Sequence, residues 1–228
     1  MGFEEWGMMS DTNDPGPPVQ RPWDARLARW LVGPLRDSWV APNHLTTVRL
    51  LVGLAAAAAF IPGSYGWSNV AALLMVLSNF LDHTDGELAR VSGKGSRFGH
   101  LYDLGSDAVV TIAVFVAIGV GIEDSPGKFF DFSSLYGAIA GGAVALIFFL
   151  RMRIEEMAGK LATRQGSLAG FETEDALYLL PLFTLFHGLE AMLVVASIIA
   201  PLYAVWTVVE YRRAVRRLQP LGSREVAQ

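Results

Sequence analysis

The 228-residue sequence contains no cysteine. That excludes a disulfide framework, a thiolate metal site and a cysteine nucleophile. Histidine is sparse, with four residues, so no clear imidazole set for a metal is present. Charge is scarce as well: Asp, Glu, Lys and Arg make up 18% of the chain, against 52% hydrophobic residues. With a mean hydropathy of +0.37 the chain is too apolar for an ordinary soluble domain and fits an integral membrane protein. The length suits one membrane domain without a large second one. The net charge of −4 excludes little, because the distribution carries more information. Residues 1–18 are acidic and turn-rich, with no basic start and no apolar core. No cleavable signal peptide is expected there, and residues 1–21 read as a disordered tail. There is no internal repeat.

A bilayer-spanning helix needs about 20 mostly apolar residues. Six stretches are candidates: residues 45–61, 69–91, 99–122, 134–152, 175–187 and 189–211. The fifth is short, Pro181 is expected to kink it, and a tight turn near Gly188 separates it from the sixth. Positive charge tests this layout. One side collects Arg21, Arg26, Arg29 and Arg36, then Arg90, Lys94 and Arg97, then Arg151, Arg153, Lys160 and Arg164, and finally Arg212, Arg213, Arg216, Arg217 and Arg224, with Arg49 just inside the first span near that side. The other side holds only Lys128. The positive-inside rule then puts both termini in the cytoplasm, whereas five or seven spans would scatter these charges.

Before the first span, Trp23, Leu27, Trp30, Leu31, Pro34, Leu35 and Trp39 recur at roughly helical spacing, opposite Arg26, Arg29, Arg36 and Asp37. This pattern predicts an amphipathic helix on the cytoplasmic leaflet with tryptophans at headgroup level; the alternative is a cytosolic helix packed on a partner. The expected fold is therefore an all-α integral membrane protein of six transmembrane helices, preceded by an amphipathic interfacial helix, with both termini cytoplasmic. The expected division is a juxtamembrane helix at 22–40, a membrane domain at 41–217 and a tail at 218–228.

The chemistry concentrates between the second and third spans. Asp82 and Asp85 lie three apart on one helix face, and Ala89 follows on the same face. Gly99, Asp103 and Asp107 are spaced by four and form a second stripe. A short basic loop joins them, so antiparallel packing would gather four carboxylates near the cytoplasmic surface. Charged groups at membrane depth are costly and rarely idle, and four anions repel unless cations intervene. An all-oxygen donor set favours hard divalent ions such as Mg²⁺ or Mn²⁺, and four carboxylates can hold two. Gly86, Ala89, Gly99 and Gly105 permit close backbone approach and leave room for a flat or bulky ligand. Arg90 suits a phosphate. A structural alternative pairs the aspartates with Arg90 and Arg97.

The segment Asp82-x2-Asp85-Gly86-x2-Ala89-Arg90-x8-Gly99-x3-Asp103-x3-Asp107 resembles the signature of the CDP-alcohol phosphotransferases at every fixed position and spacing. Pro42-Asn43-His44-Leu45-Thr46, which opens the first span, is similar to that family too. The resemblance covers most of the chain and implies six helices, a cytoplasmic active site and a possible homodimer. It implies that Asp82, Asp85 and Asp103 bind one metal, that Asp82, Asp103 and Asp107 bind a second, and that Asp107 is the general base. Asp85, Gly86, Ala89 and Arg90 would hold the cytidine and diphosphate, with Asn43, Thr46 and Ser96 as weaker members of the nucleotide pocket and Gly99 as a structural element of the motif. An acceptor hydroxyl would attack the phosphorus distal to cytidine and expel CMP. The setting this implies is membrane phospholipid synthesis, in a bacterial inner membrane with the site facing the cytoplasm, and no nucleic-acid partner.

The donor expected is CDP-diacylglycerol, and the acceptor a small polar alcohol such as inositol phosphate or glycerol phosphate. Arg151, Arg153, Arg212 and Arg213 end the fourth and sixth spans and could hold an acceptor phosphate, although the positive-inside rule alone would also put them there. Transfer of a headgroup from a soluble CDP-alcohol to a lipid alcohol is the alternative. A membrane prenyltransferase would be expected to carry two separated Asp motifs, and a divalent cation transporter would want carboxylates near the midplane with a path to both sides. Glu172, Glu174 and Asp175 read as a favourable acidic helix start. His83 and His100 flank the motif and read as hydrogen-bonded packing residues, His187 as interfacial at the distant end. Gly137 and Gly141 form a small-xxx-small pair suited to helix packing or a dimer contact.

Overall fold

The structure, a computed structural model, describes residues 23–123, 131–158 and 178–225. Helix α1 is Trp23–Val32, followed by a 3-10 turn at Gly33–Leu35; then come α2 (Pro42–Phe60), α3 (Tyr65–Ser92), α4 (Arg97–Glu123), α5 (Ser133–Ala158), α6 (Leu180–Leu185) and α7 (Leu189–Glu225). Among the described residues every regular element is helical, as expected. Residues 1–21 and the acidic run Glu172, Glu174 and Asp175 lie outside them.

Local chemistry sets the helix ends that matter. Pro42 stands at the first turn of α2, where its missing N–H costs nothing, and His44 Nδ1 accepts the Ala41 amide at 3.2 Å. Helix α3 stops at Gly93, which takes the left-handed conformation at φ 67°, a common helix terminator. Three residues on, Ser96 Oγ accepts the Gly99 amide at 2.9 Å and starts α4. The four-residue link reverses the chain, so the C-terminal end of α3 meets the N-terminal ends of α2 and α4.

These three helices form the centre. Ala56, Ala57, Ala59 and Phe60 of α2 pack with Ala71, Ala72 and Met75 of α3 and with Val110, Val114, Ala117 and Ile118 of α4. At the end away from the aspartates, Gly63 turns the chain at φ +64°, and a Cβ there would lie 2.0 Å from the Gly121 carbonyl. Helix α5 closes on α4 in the same manner. A Cβ at Gly137 would sit 2.2 Å from the Phe115 carbonyl, and one at Gly141 2.9 Å from Ile112 Cα. The small-residue pair thus serves a helix contact inside the chain. Helix α7 packs on α5, and α1 rests on α3, burying Ala28 and Val32 and leaving Leu27, Trp30, Leu31 and Trp39 exposed.

Among the described residues, four helices are long and apolar enough to cross a membrane: 42–60, 98–123, 133–154 and 189–216. Leu51, Leu73, Leu202 and Val205 point outward while Thr46, Arg49, Asp85 and Glu87 are buried, the reverse of a soluble protein's habit. Helix α3 has 28 residues, but from Asp82 onward it carries Asp85, Glu87 and Arg90 as well and is no longer apolar. The fifth expected span, 175–187, is represented in the described residues by a six-residue helix, about 9 Å long at 1.5 Å per residue. Helix α7 continues to Glu225, beyond the expected end of the sixth span at 211 and through residues expected to be a tail.

Candidate active site

Three helices bring the site together. Helix α2 contributes Asn43, Thr46 and Arg49, one residue per turn along a single face. Helix α3 contributes Asp82 and Asp85, and α4 contributes Asp103 and Asp107. The two carboxylate stripes face each other, and oxygens of Asp82, Asp85 and Asp103 all lie within 4.8 Å of one another.

At their centre is Arg49, which the sequence alone places only among the charges near the cytoplasmic side. Arg49 Nη1 lies 2.8 Å from Asp82 Oδ1 and 2.5 Å from Asp107 Oδ1. Its Nη2 lies 2.5 Å from Asp103 Oδ1 and donates to the Asp103 carbonyl at 2.9 Å. Nε is 3.5 Å from Asp85 Oδ2. The Arg49 side chain is 5% exposed. The structural alternative in the sequence assigned the aspartates to Arg90 and Arg97; the structure puts Arg49 among them, while the Arg97 side chain lies outside the described ones. A charged residue one turn beyond Thr46, inside an apolar run, is the feature of the sequence that could have identified it.

The four carboxylates differ in access. Asp85 is 6% exposed and accepts a hydrogen bond from Thr46 Oγ1 at 2.8 Å. Asp103 and Asp107 open outward, Asp107 being 36% exposed. One guanidinium against four carboxylates leaves the cluster strongly anionic, and like charges a few ångströms apart in a poorly hydrated setting repel. The oxygen-only donor set, its spacing and its excess negative charge fit divalent cations. Beside it Gly86 has no atom within 4 Å of where a Cβ would stand, whereas Gly99 is packed, with Asn43 Oδ1 2.7 Å from its would-be Cβ.

The remaining candidates sit as follows. Ser96 caps α4. Arg90 pairs with Glu87 at 2.5 Å across one helical turn; Glu87 is buried, a partner the sequence had not singled out. Arg90 also lines, with Arg29, Gly33, Arg36 and Val91, a cleft of about 440 Å³ between α1 and the end of α3. Arg151 donates to Tyr203 Oη and lies over its ring at 5.4 Å. Arg153 pairs with Glu156 at 2.7 Å, and Arg212 and Arg213 are exposed on α7. His83 Nδ1 is 3.1 Å from the Asn79 carbonyl and its ring stacks on Tyr178, in keeping with a packing role; His100 is exposed. His187 stacks on Tyr65 at the opposite end of α3.

Residues 39–209 match the family model for CDP-alcohol phosphatidyltransferase. The chain belongs to that family. Among curated relatives, it is 31% identical to cholinephosphotransferase 1 of Danio rerio over 76% of this chain and 44% of the relative. It is 27% identical to a bifunctional IPC transferase and DIPP synthase of Aquifex aeolicus over 73% of this chain and 38% of the relative. A CDP-diacylglycerol–glycerol-3-phosphate 3-phosphatidyltransferase of Cereibacter sphaeroides is 36% identical over 36% of this chain and 38% of its own length. The chain spans less than half the length of each of these relatives. Its apolar helices and its membership of the CDP-alcohol phosphatidyltransferases make it an integral membrane protein.

Proposed function

We propose that this chain catalyses metal-dependent transfer of a substituted phosphate from a CDP-linked donor to an alcohol hydroxyl, releasing CMP, in phospholipid synthesis. The observation that carries the reading is the cluster of four aspartates from two antiparallel helices, tied to α2 through Thr46 and Arg49, within the residues matched by the family model. Asp82, Asp85 and Asp103 would hold one divalent cation and Asp82, Asp103 and Asp107 a second. Bound there, the cations would neutralise charge on the diphosphate and on the departing phosphate.

The chain's own residues do the rest. Asp85, buried and held by Thr46, would be a fixed ligand of the first cation. Asp107, open on one side, is the group an acceptor can reach. Its carboxylate takes the acceptor's proton as the new oxygen–phosphorus bond forms, a task for a base within hydrogen-bond reach. The bond from that phosphorus to the CMP oxygen breaks, and CMP leaves with the electron pair. The open face of Gly86 and the small Ala89 make room for the cytidine diphosphate, with Arg90, Asn43, Thr46 and Ser96 at the margins of that pocket. Asp107→Asn is expected to lower turnover by about 10³-fold, within the range for a positioned general base, while a CDP analogue still binds. Near-normal turnover in that variant would refute the assignment of the base.

The donor proposed is CDP-diacylglycerol and the acceptor a small polar alcohol bearing a phosphate, inositol phosphate or glycerol phosphate. The name of the Cereibacter relative, and Arg151 and Arg153 on α5 with Arg212 and Arg213 on α7, support it. The Danio relative supports a second reading, headgroup transfer from a soluble CDP-alcohol to a lipid alcohol, because that similarity extends over 182 residues against 84. Supplying CDP-diacylglycerol and CDP-choline separately and following CMP decides between them. We further propose six spans with α1 on the cytoplasmic leaflet, both termini and the site on the cytoplasmic side of a bacterial inner membrane, and a homodimer.

A further inference from the structure

We propose that Arg49 is a resident counter-cation that competes with divalent metal for the aspartate cluster and sets its metal affinity. The proposal rests on the reading of the four aspartates as a metal site. The oxygens Arg49 engages are Asp82 Oδ1, Asp103 Oδ1, Asp107 Oδ1 and Asp85 Oδ2, one from every carboxylate of the cluster. A cation needing oxygens at roughly 2.0–2.2 Å meets the guanidinium at the same atoms, and the two positive charges repel in a site shielded from water.

The guanidinium is built into the fold. Ser78 Oγ of α3 donates to the Arg49 carbonyl at 3.0 Å. One turn further along, Gly53 brings α2 so close to Val110 of α4 that a Cβ would stand 2.6 Å from its methyl. Helix α2 is thus pinned on both sides where Arg49 leaves it. The planar fork reaches carboxylates on two facing helices at once, a geometry an ammonium group cannot reproduce. Two consequences follow. Arg49 offsets repulsion that would otherwise push α3 and α4 apart, and metal must loosen its hold on Asp82 and Asp107, which share Nη1, to enter between them. Arg49 is a positioning residue that acts through the carboxylates.

Mn²⁺ binding to the purified full chain in detergent, read by electron paramagnetic resonance, tests this without any turnover. Arg49→Gln is expected to bind Mn²⁺ about tenfold tighter than the unaltered chain. Without metal it is expected to melt at lower temperature, and to recover more on adding Mn²⁺. Arg49→Lys keeps the charge without the fork and is expected to fall between the two, which keeps the idea testable if the glutamine variant does not fold. Equal or weaker Mn²⁺ binding in either folded variant overturns the role of Arg49 while leaving the metal site intact. Failure of the unaltered chain itself to bind Mn²⁺, with Asp82→Asn behaving identically, overturns the metal reading and this proposal together.

Discussion

Thr46 shows how the site is tuned at the scale of single residues. Its hydroxyl donates to the buried Asp85 at 2.8 Å and fixes which way that carboxylate faces. A hydrogen bond to a buried charge is worth roughly 1.5–3 kcal/mol, so Thr46→Val is expected to lower kcat/KM about tenfold, and Thr46→Ser to retain most of it. Steady-state rates on the two variants check this; full activity in Thr46→Val would remove Thr46 from the site. The aspartates and their small neighbours were legible in the sequence because their spacing is helical and their chemistry is out of place in an apolar chain. Arg49 was less so. Its charge was consistent with the positive-inside rule, and only the helix geometry puts it one turn beyond Thr46 on the face that meets α3 and α4. Arg90 shows the converse limit: the sequence indicates a phosphate partner, while the structure pairs Arg90 with the buried Glu87 one turn earlier on the same helix.

At the scale of elements, the helices meet through missing side chains rather than large ones. Gly137 and Gly142 make a controlled comparison on α5. A Cβ at Gly137 would strike the Phe115 carbonyl at 2.2 Å, whereas one at Gly142 meets nothing within 4 Å. Gly137→Ala is expected to destabilise by roughly 1–3 kcal/mol, as overpacking does. Gly142→Ala is expected to be neutral or slightly stabilising, because alanine favours the helix. Thermal melting in detergent reads both, and equal effects would refute the α4–α5 contact. Helix existence was readable from apolar runs, and Pro42 and Gly93 mark ends by their backbone chemistry. The C-terminal limit of α7 was not readable that way. The sequence criterion stops where charge begins, near 211, but a helix need not, and α7 continues as a charged helix to Glu225. The fifth element differs for a related reason: apolar composition resembles a span, while the described part is a single six-residue helix.

At the scale of the whole molecule, one end of the bundle carries the aspartates and the link at 93–96, and the other carries Gly63, Gly121 and the turn at His187. With no native cysteine, the chain allows topology to be mapped by single introduced thiols. Gly95→Cys and Ser64→Cys are both exposed positions at opposite ends. In right-side-out vesicles a membrane-impermeant maleimide is expected to label Ser64→Cys and spare Gly95→Cys; the reverse pattern would turn the site to the outside. The most direct test of the account as a whole is CMP release by the purified chain supplied with CDP-diacylglycerol or a CDP-alcohol and the matching acceptor. The account predicts release with one donor class that requires both Mg²⁺ or Mn²⁺ and the added alcohol, and that stops on chelation. Absence of CMP with both donor classes, or release indifferent to metal, would contradict it.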